Sequence, residues 1–125
     1  MFRNLYTSFI TAKGDWNATP TQVEFAMNTT SPEVKALDYS QADGYIGRTY
    51  VDNTKPEVMS LNWYYLGADT TNAPNRVRST AGHEWGHALG LDHGANPAIM
   101  NPTRDRNIIY VPQTDDVNGI KALYP

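Results

Sequence analysis

The opening of the chain carries Phe2, Leu5, Tyr6, Phe9 and Trp16 at roughly helical spacing, with Arg3, Asn4, Thr7, Ser8 and Lys13 between them. Side chains three and four apart share one face of a helix, so this spacing predicts an amphipathic helix ending near Gly14. The period then changes. Val23, Phe25 and Met27 alternate with Gln22, Glu24 and Ala26, the two-residue repeat of a half-buried strand. Further strands are expected over Val34–Tyr39 and over Tyr45–Val51, the latter ending at the turn-like Asp52-Asn53. A stronger one is expected over Val58–Leu66, with Met59, Leu61, Trp63 and Tyr65 on one side.

The second half reads differently. A polar stretch from Gly67 to Asn75 leads to a helix that starts near Ala73 or Pro74 and runs to Leu89, where Gly90 stops it. From Leu91 to Gln113 the pattern is irregular and punctuated by Pro97, Pro102 and Pro112. A last helix takes Thr114 as its N-cap and places Asp115 and Asp116 in its first turn, where carboxylates suit the helix dipole. Val117, Ile120 and Leu123 form its apolar stripe. Strands interspersed with helices, followed by loop and helix, predict an α/β (α+β) arrangement around one small sheet.

Composition narrows the chemistry. The 125 residues make one domain. A net charge of −3 and a pI near 5.5 speak against nucleic acid or an anionic membrane as partner. No apolar run approaches the ~18 residues that span a bilayer, and Met1 to Ile10 lacks the pattern of a signal peptide. The absence of cysteine excludes a disulfide framework, a thiolate metal site and a cysteine nucleophile. His, Asp and Glu remain as ligands for a transition metal.

All three histidines of the chain fall in one eleven-residue window, His83-Glu84-Trp85-Gly86-His87-Ala88-Leu89-Gly90-Leu91-Asp92-His93. Its first part is H-E-x-x-H. On a helix, His83 and His87 stand one turn apart on the same face and aim at one zinc ion. Glu84 projects beside that ion, where a general base removes a proton from metal-bound water. Gly90 is able to adopt positive φ and turn the chain so that His93 supplies a third ligand. Three protein ligands leave the fourth position open, the pattern of a catalytic rather than a structural zinc site.

At these residues the chain resembles the metzincins, a clan of zinc endopeptidases, and within them the matrixins with their small bacterial relatives. Ala98-Ile99-Met100 resembles the Met-turn, Asp115 to Tyr124 the closing helix, and Trp16 to Pro20 with Phe25 the end of the first helix and the next strand. The resemblance implies a twisted mixed sheet with an antiparallel edge strand above the cleft and the zinc helix below it. An N-terminal subdomain would span about residues 1–93 and a C-terminal one about 94–125. It implies Met100 as a hydrophobic floor under the site, and a protein or peptide substrate held extended along an edge strand such as Tyr45–Val51. It also implies an extracellular, monomeric enzyme that hydrolyses peptide bonds with one catalytic zinc. The competing reading is an inactive zinc-binding module of the same fold.

The departures are specific. No histidine remains for a second, structural zinc. Asp43, Asp52 and Asp69 are candidates for calcium only as isolated loop aspartates, which are usually turn residues. Gly94 stands where animal matrixins usually have Ser, and Asn101-Pro102-Thr103 replaces the usual Tyr-Pro start of the specificity-pocket wall. The chain begins inside what resembles the first helix, so the family's preceding strand and propeptide are expected to be missing from it. Arg76, Arg78, Arg104 and Arg106 read as solvated charges.

Overall fold

A computed structural model describes residues 3–27, 30–51 and 56–125. Phe2, Asp52 and the Asp52-Asn53 turn lie outside these residues. Helix α1 (Arg3–Asn17) is followed by strands β1 (Val34–Tyr39), β2 (Gly47–Tyr50) and β3 (Glu57–Asn62). The short helices α2 (Trp63–Leu66) and α3 (Asp69–Asn72) lead into α4 (Pro74–Ala88), and α5 (Thr114–Leu123) closes the chain.

The sheet is small and mixed, in the order β1-β3-β2. Central β3 runs parallel to β1, from Val34 opposite Glu57 to Tyr39 opposite Asn62. It runs antiparallel to β2, from Gly47 opposite Leu61 to Tyr50 opposite Val58. The antiparallel edge strand expected from the family is therefore β2. Helix α4 packs against both β2 and β3, and against α1 on its other flank.

Helix α1 buries Leu5, Phe9, Ala12 and Trp16, a stripe at intervals of three and four. It continues past Gly14 to Asn17, because the stripe reaches Trp16 and anchors that turn. The Trp16 indole is 1% exposed and its Nε1 donates to Gly82 O at 2.9 Å. From the opposite helix, Trp85 Nε1 donates to Phe9 O at 3.0 Å. Arg78 adds a two-pronged bond to Asp15, Nε to Oδ2 at 2.8 Å and Nη2 to Oδ1 at 2.6 Å. Arg78 is thus a clamp between α1 and α4 rather than a free surface charge.

Three expected elements differ. Residues 22–27 enter no ladder among the described residues. The Asn17 amide takes both backbone groups of Phe25, accepting from its N at 2.7 Å and donating to its O at 3.0 Å, which is the pairing a neighbouring strand would make. The strand expected up to Leu66 ends at Asn62. There the side chain accepts from Tyr64 N and starts α2. In α5 the cap is Gln113 rather than Thr114, through a capping box with Asp116. Of its stripe Ile120 is buried, while Leu123 is 50% exposed.

Asn62 also sets the path into β2. Fully buried, it donates to Gln41 O (2.7 Å), Tyr45 O (2.8 Å) and Asp43 Oδ1 (3.1 Å), and accepts from Gln41 N (3.1 Å). One satisfied amide thereby fixes the loop that delivers β2 to α4. A cleft of about 740 Å³ runs between α1, residues 22–27, β1 and the Trp85–Leu89 side of α4. None of the three histidines lines it.

From Ser79 to Gly86 every residue of α4 is buried. Glycines permit this. A Cβ at Gly82 would stand 2.6 Å from Ile99 Cδ1, and one at Gly86 would collide with Met100 Sδ. Gly→Ala in a helix interior ordinarily gains about 1 kcal/mol. Here overpacking reverses the sign, and Gly86→Ala is expected to cost about 1–3 kcal/mol. In a Met100→Ala background the same change should cost measurably less, because the two sites share one contact. Urea unfolding of the two single variants and the double variant checks the coupling. Additive costs would refute it.

Candidate active site

Helix α4 ends where its sequence says it should. Gly90 has φ +101°, its N–H donates to His87 O at 2.9 Å, and Leu91 N–H donates to Gly86 O at 3.0 Å. These are the two bonds of a Schellman motif, which glycine at C′ permits without strain. The turn folds the next three residues back along the helix and returns His93 to the face that carries His83 and His87. One ring nitrogen from each histidine can be chosen so that all three lie within 4.8 Å of one another. Among the described residues this is the group of His, Asp and Glu side chains with metal-ligand spacing.

The ring protons are fixed by what the other nitrogens touch. His83 Nδ1 lies 2.8 Å from Ile99 O, and His87 Nδ1 lies 2.9 Å from Leu91 O. A carbonyl oxygen accepts only, so each Nδ1 carries the proton and each Nε2 is a bare lone pair. The two Nε2 atoms nevertheless approach to 3.1 Å. Lone pairs at that distance repel unless a cation lies between them. Two imidazoles on a tetrahedral zinc at ordinary bond lengths have nitrogens about 3.3 Å apart. The donor set therefore fits a zinc ion. Burial pushes the His83 imidazole down to about 3 and lowers His87 as well, so both rings are neutral at pH 7, the form in which an imidazole is able to bind a metal.

Glu84 is 5% exposed. Thr49 on β2 donates its hydroxyl to Glu84 Oε1 at 2.8 Å. Gly47, on the same strand, leaves room for the carboxylate. A Cβ there would stand 3.1 Å from both Cγ and Oε2. Burial raises the Glu84 carboxyl to about 7, against the opposing pull of the Thr49 hydroxyl and of the Arg104 and Arg106 charges.

Met100 lies beneath the helix at Gly86, 2% exposed. Its turn is held by Asp116, whose Oδ2 accepts from Ile99 N at 2.8 Å and whose Oδ1 accepts from Met100 N at 3.2 Å. The same Oδ2 accepts from Gln113 N at 2.7 Å, so one buried carboxylate caps α5 and fixes the Ile99 carbonyl that orients His83. Arg104 is a correction to the sequence reading. It is 6% exposed, with Nε on Ser79 Oγ (2.9 Å), Nη2 on Ser79 O (3.0 Å) and Nη1 on Asn101 O (3.0 Å). Thr49, Asp116 and Arg104 carry no local signal of these roles, since each acts across a long stretch of sequence. Asp43 is occupied in a turn at Tyr45 N, and Asp69 pairs with Arg76 at 3.2 Å.

The sequence profile described as matrixin matches residues 16–125, which include all of these side chains. The chain belongs to the matrixin family. As a matrixin it is a member of a metallopeptidase family whose metal is zinc. It is 36% identical over 90 residues to human (Homo sapiens) matrix metalloproteinase-20, covering 69% of this chain and 16% of that relative. It is 37% identical over 90 residues to human matrix metalloproteinase-15, covering 69% of this chain and 12% of that relative. A shorter match reaches 52% identity over 46 residues with macrophage metalloelastase of Oryctolagus cuniculus, covering 34% of this chain and 10% of that relative. The chain thus corresponds to a small part of the length of the curated relatives it matches. Among the described residues, no helix is long and apolar enough to cross a membrane.

Burying Glu84 has a consequence for the metal-free protein. Its folded-state pKa near 7 lies above the ordinary 4.5, so the folded state holds a proton that the unfolded state releases. The Glu84 contribution to stability therefore falls as the pH rises from 4.5 to 7, by about 3 kcal/mol, while the buried His83 and His87, lowered by the fold, contribute in the opposite direction. Glu84→Gln carries no such charge. Metal-free Glu84→Gln should melt above the parent at pH 8 and close to it at pH 4. Thermal melts of both chains in chelator read this directly, and equal melting temperatures at pH 8 would contradict the burial argument.

Proposed function

We propose that this chain is a zinc-dependent endopeptidase domain that hydrolyses peptide bonds in extended polypeptide substrates. The observation that carries the reading is the convergence of three imidazole nitrogens at the helix turn that carries the buried carboxyl group of Glu84. His83, His87 and His93 are the proposed zinc ligands, and Glu84 is the proposed catalytic base. When bound, zinc supplies a Lewis acid that acidifies water and polarises the scissile carbonyl.

The remaining work falls to the chain. Thr49 holds Glu84 Oε1, which leaves Oε2 to take a proton from the attacking water. The oxygen of that water bonds to the carbonyl carbon, and the C–N bond then breaks. Glu84 returns its proton to the departing nitrogen, so a carboxylic acid and an amine leave the site. Burial raises the Glu84 carboxyl above its ordinary value, which makes it a stronger proton acceptor than a solvated glutamate. Acid pH removes the base by protonating Glu84.

The substrate is proposed to lie along β2, which is the edge of the sheet on the Glu84 side. Extended peptides add to such edges through main-chain hydrogen bonds. Residues up to about 93 and from about 94 to 125 are proposed as the two subdomains flanking the cleft, with Met100 as its apolar floor. We place the enzyme outside the cell, as a monomer with one catalytic zinc. Calcium is not part of the proposal.

The test combines metal and activity. The purified chain should bind one zinc by elemental analysis and cleave members of a mixed peptide library, and a chelator should abolish cleavage. Glu84→Gln should retain the zinc and lose about 10²- to 10⁴-fold in rate. A fully active Glu84→Gln would sink the mechanism. Zinc uptake without any cleavage by the parent chain would leave a binding module instead.

A further inference from the structure

Beside Glu84 and His83 lies a second, smaller cavity of about 200 Å³. Its wall includes Tyr45 from the approach to β2, Gly47 at the start of that strand, Thr80 from α4, and Pro102, Arg104 and Arg106 from the loop after Met100. The two arginines give it an unusual charge. Arg104 is buried, yet its partners are the neutral Ser79 hydroxyl and carbonyl and the Asn101 carbonyl. Its contact with His83 Nδ1 at 3.4 Å adds nothing, since that nitrogen already gives its proton to Ile99 O. Arg106 is half-buried and makes no hydrogen bond or ion pair among the described residues. The nearby Asp69 is committed to Arg76.

Glu84 is the one carboxylate lining this cavity, against two guanidinium groups. Two guanidinium groups against one carboxylate leave a positive excess on the cavity wall, which Asp116 behind Arg104 and Asp69 near Arg106 only partly offset. Unpaired buried charge is costly, and a guanidinium meets a carboxylate through parallel N–H bonds better than it meets any neutral acceptor. Arg104 is already held rigid by Ser79 and Asn101, so little entropy is lost when a ligand meets its remaining N–H groups.

The position of the cavity says which part of a substrate reaches it. This step rests on the peptidase reading above. Glu84 returns a proton to the departing nitrogen, so that nitrogen lies on the Glu84 side of the cut. The cavity bordering Glu84 then faces the residue that carries the nitrogen. We propose that the cavity walled by Arg104 and Arg106 selects a carboxylate on the residue immediately after the cleaved bond, making the domain a peptidase that cuts before Asp or Glu. Arg106 is the specificity residue and Arg104 the fixed second cation.

A carboxylate could also arrive as a free C-terminus, so the experiment separates the two sources. Peptides acetylated and amidated at their ends, differing only in Glu, Gln or Leu after the cut, are compared on the zinc-loaded chain. A matched set carries a free C-terminal carboxylate after a neutral residue. The Glu peptide should exceed the Gln peptide by roughly 10- to 100-fold in kcat/KM, the scale of a charge-assisted contact. Arg106→Gln should bring that ratio close to one, and Arg106→Lys should restore part of it. A Glu-to-Gln ratio within twofold in the parent, or a preference for Leu, overturns the proposal. So does selection of the free C-terminus in place of the side chain.

A second readout separates this from failure of the peptidase reading. The dissociation constants of the same peptides are measured by calorimetry on zinc-loaded Glu84→Gln. Tighter binding of Glu than Gln, erased by adding Arg106→Gln, supports the pocket even if no peptide is cut. Equal binding of both by a chain that also shows no cleavage preference refutes it.

Discussion

Two backbone carbonyls decide what the histidines of this protein are able to do. Ile99 O and Leu91 O each take a proton from an Nδ1 and so leave the opposite nitrogens of His83 and His87 as facing lone pairs. Each carbonyl is held in place by a different device. The Leu91 carbonyl follows a glycine in left-handed backbone. The Ile99 carbonyl sits in a turn whose amides are bound by Asp116, itself a member of the capping box that starts the last helix. The C-terminal helix therefore acts on the first histidine through one carboxylate and one carbonyl, without touching the ring. Outer contacts of this kind fix the orientation of metal-binding imidazoles.

The same segment works against the stability of the metal-free fold. A carboxylate buried beneath a strand, two imidazoles crowded nitrogen to nitrogen and an arginine with neutral partners each cost folding free energy. The compensation comes from the flanks. Trp16 and Trp85 lock α1 to α4 through reciprocal indole bonds to backbone, and burial of such side chains contributes about 3–5 kcal/mol each when judged by truncation. The helix that carries the site is enclosed by the rest of the domain, and its glycines allow the enclosing side chains to approach.

Much of this was legible in the sequence because it is local. The span of α4, its start at Pro74 and its stop at Gly90 follow from residues within one or two turns of each other. The gathering of His83, His87 and His93 follows from the same stretch, and the strand at Val34–Tyr39 is likewise set by its own residues. What was not legible depends on distant partners. The alternation holds for Val23 and Phe25 against exposed Gln22 and Glu24 but not for Met27, which is 63% exposed, and Asn17 replaces the neighbouring strand that the pattern alone suggests. Asn62 ends β3 early because its amide is needed by the loop at Gln41 and Tyr45. Arg104 looks like any charged loop residue until Ser79, on a different element, supplies its acceptors.

The spacing of the histidines also bears on how the protein acquires its parts during folding. The three imidazoles lie within eleven residues of chain, so bringing them together closes only a short loop and loses little chain entropy. Thr49, Met100 and Asp116 reach the same centre from 35, 16 and 32 positions away from Glu84, respectively, and need the tertiary structure in place. For the proposed function this separates two requirements: the three imidazoles that would hold the metal are gathered by one short stretch, whereas the surroundings of Glu84 depend on the sheet and the last helix closing around it.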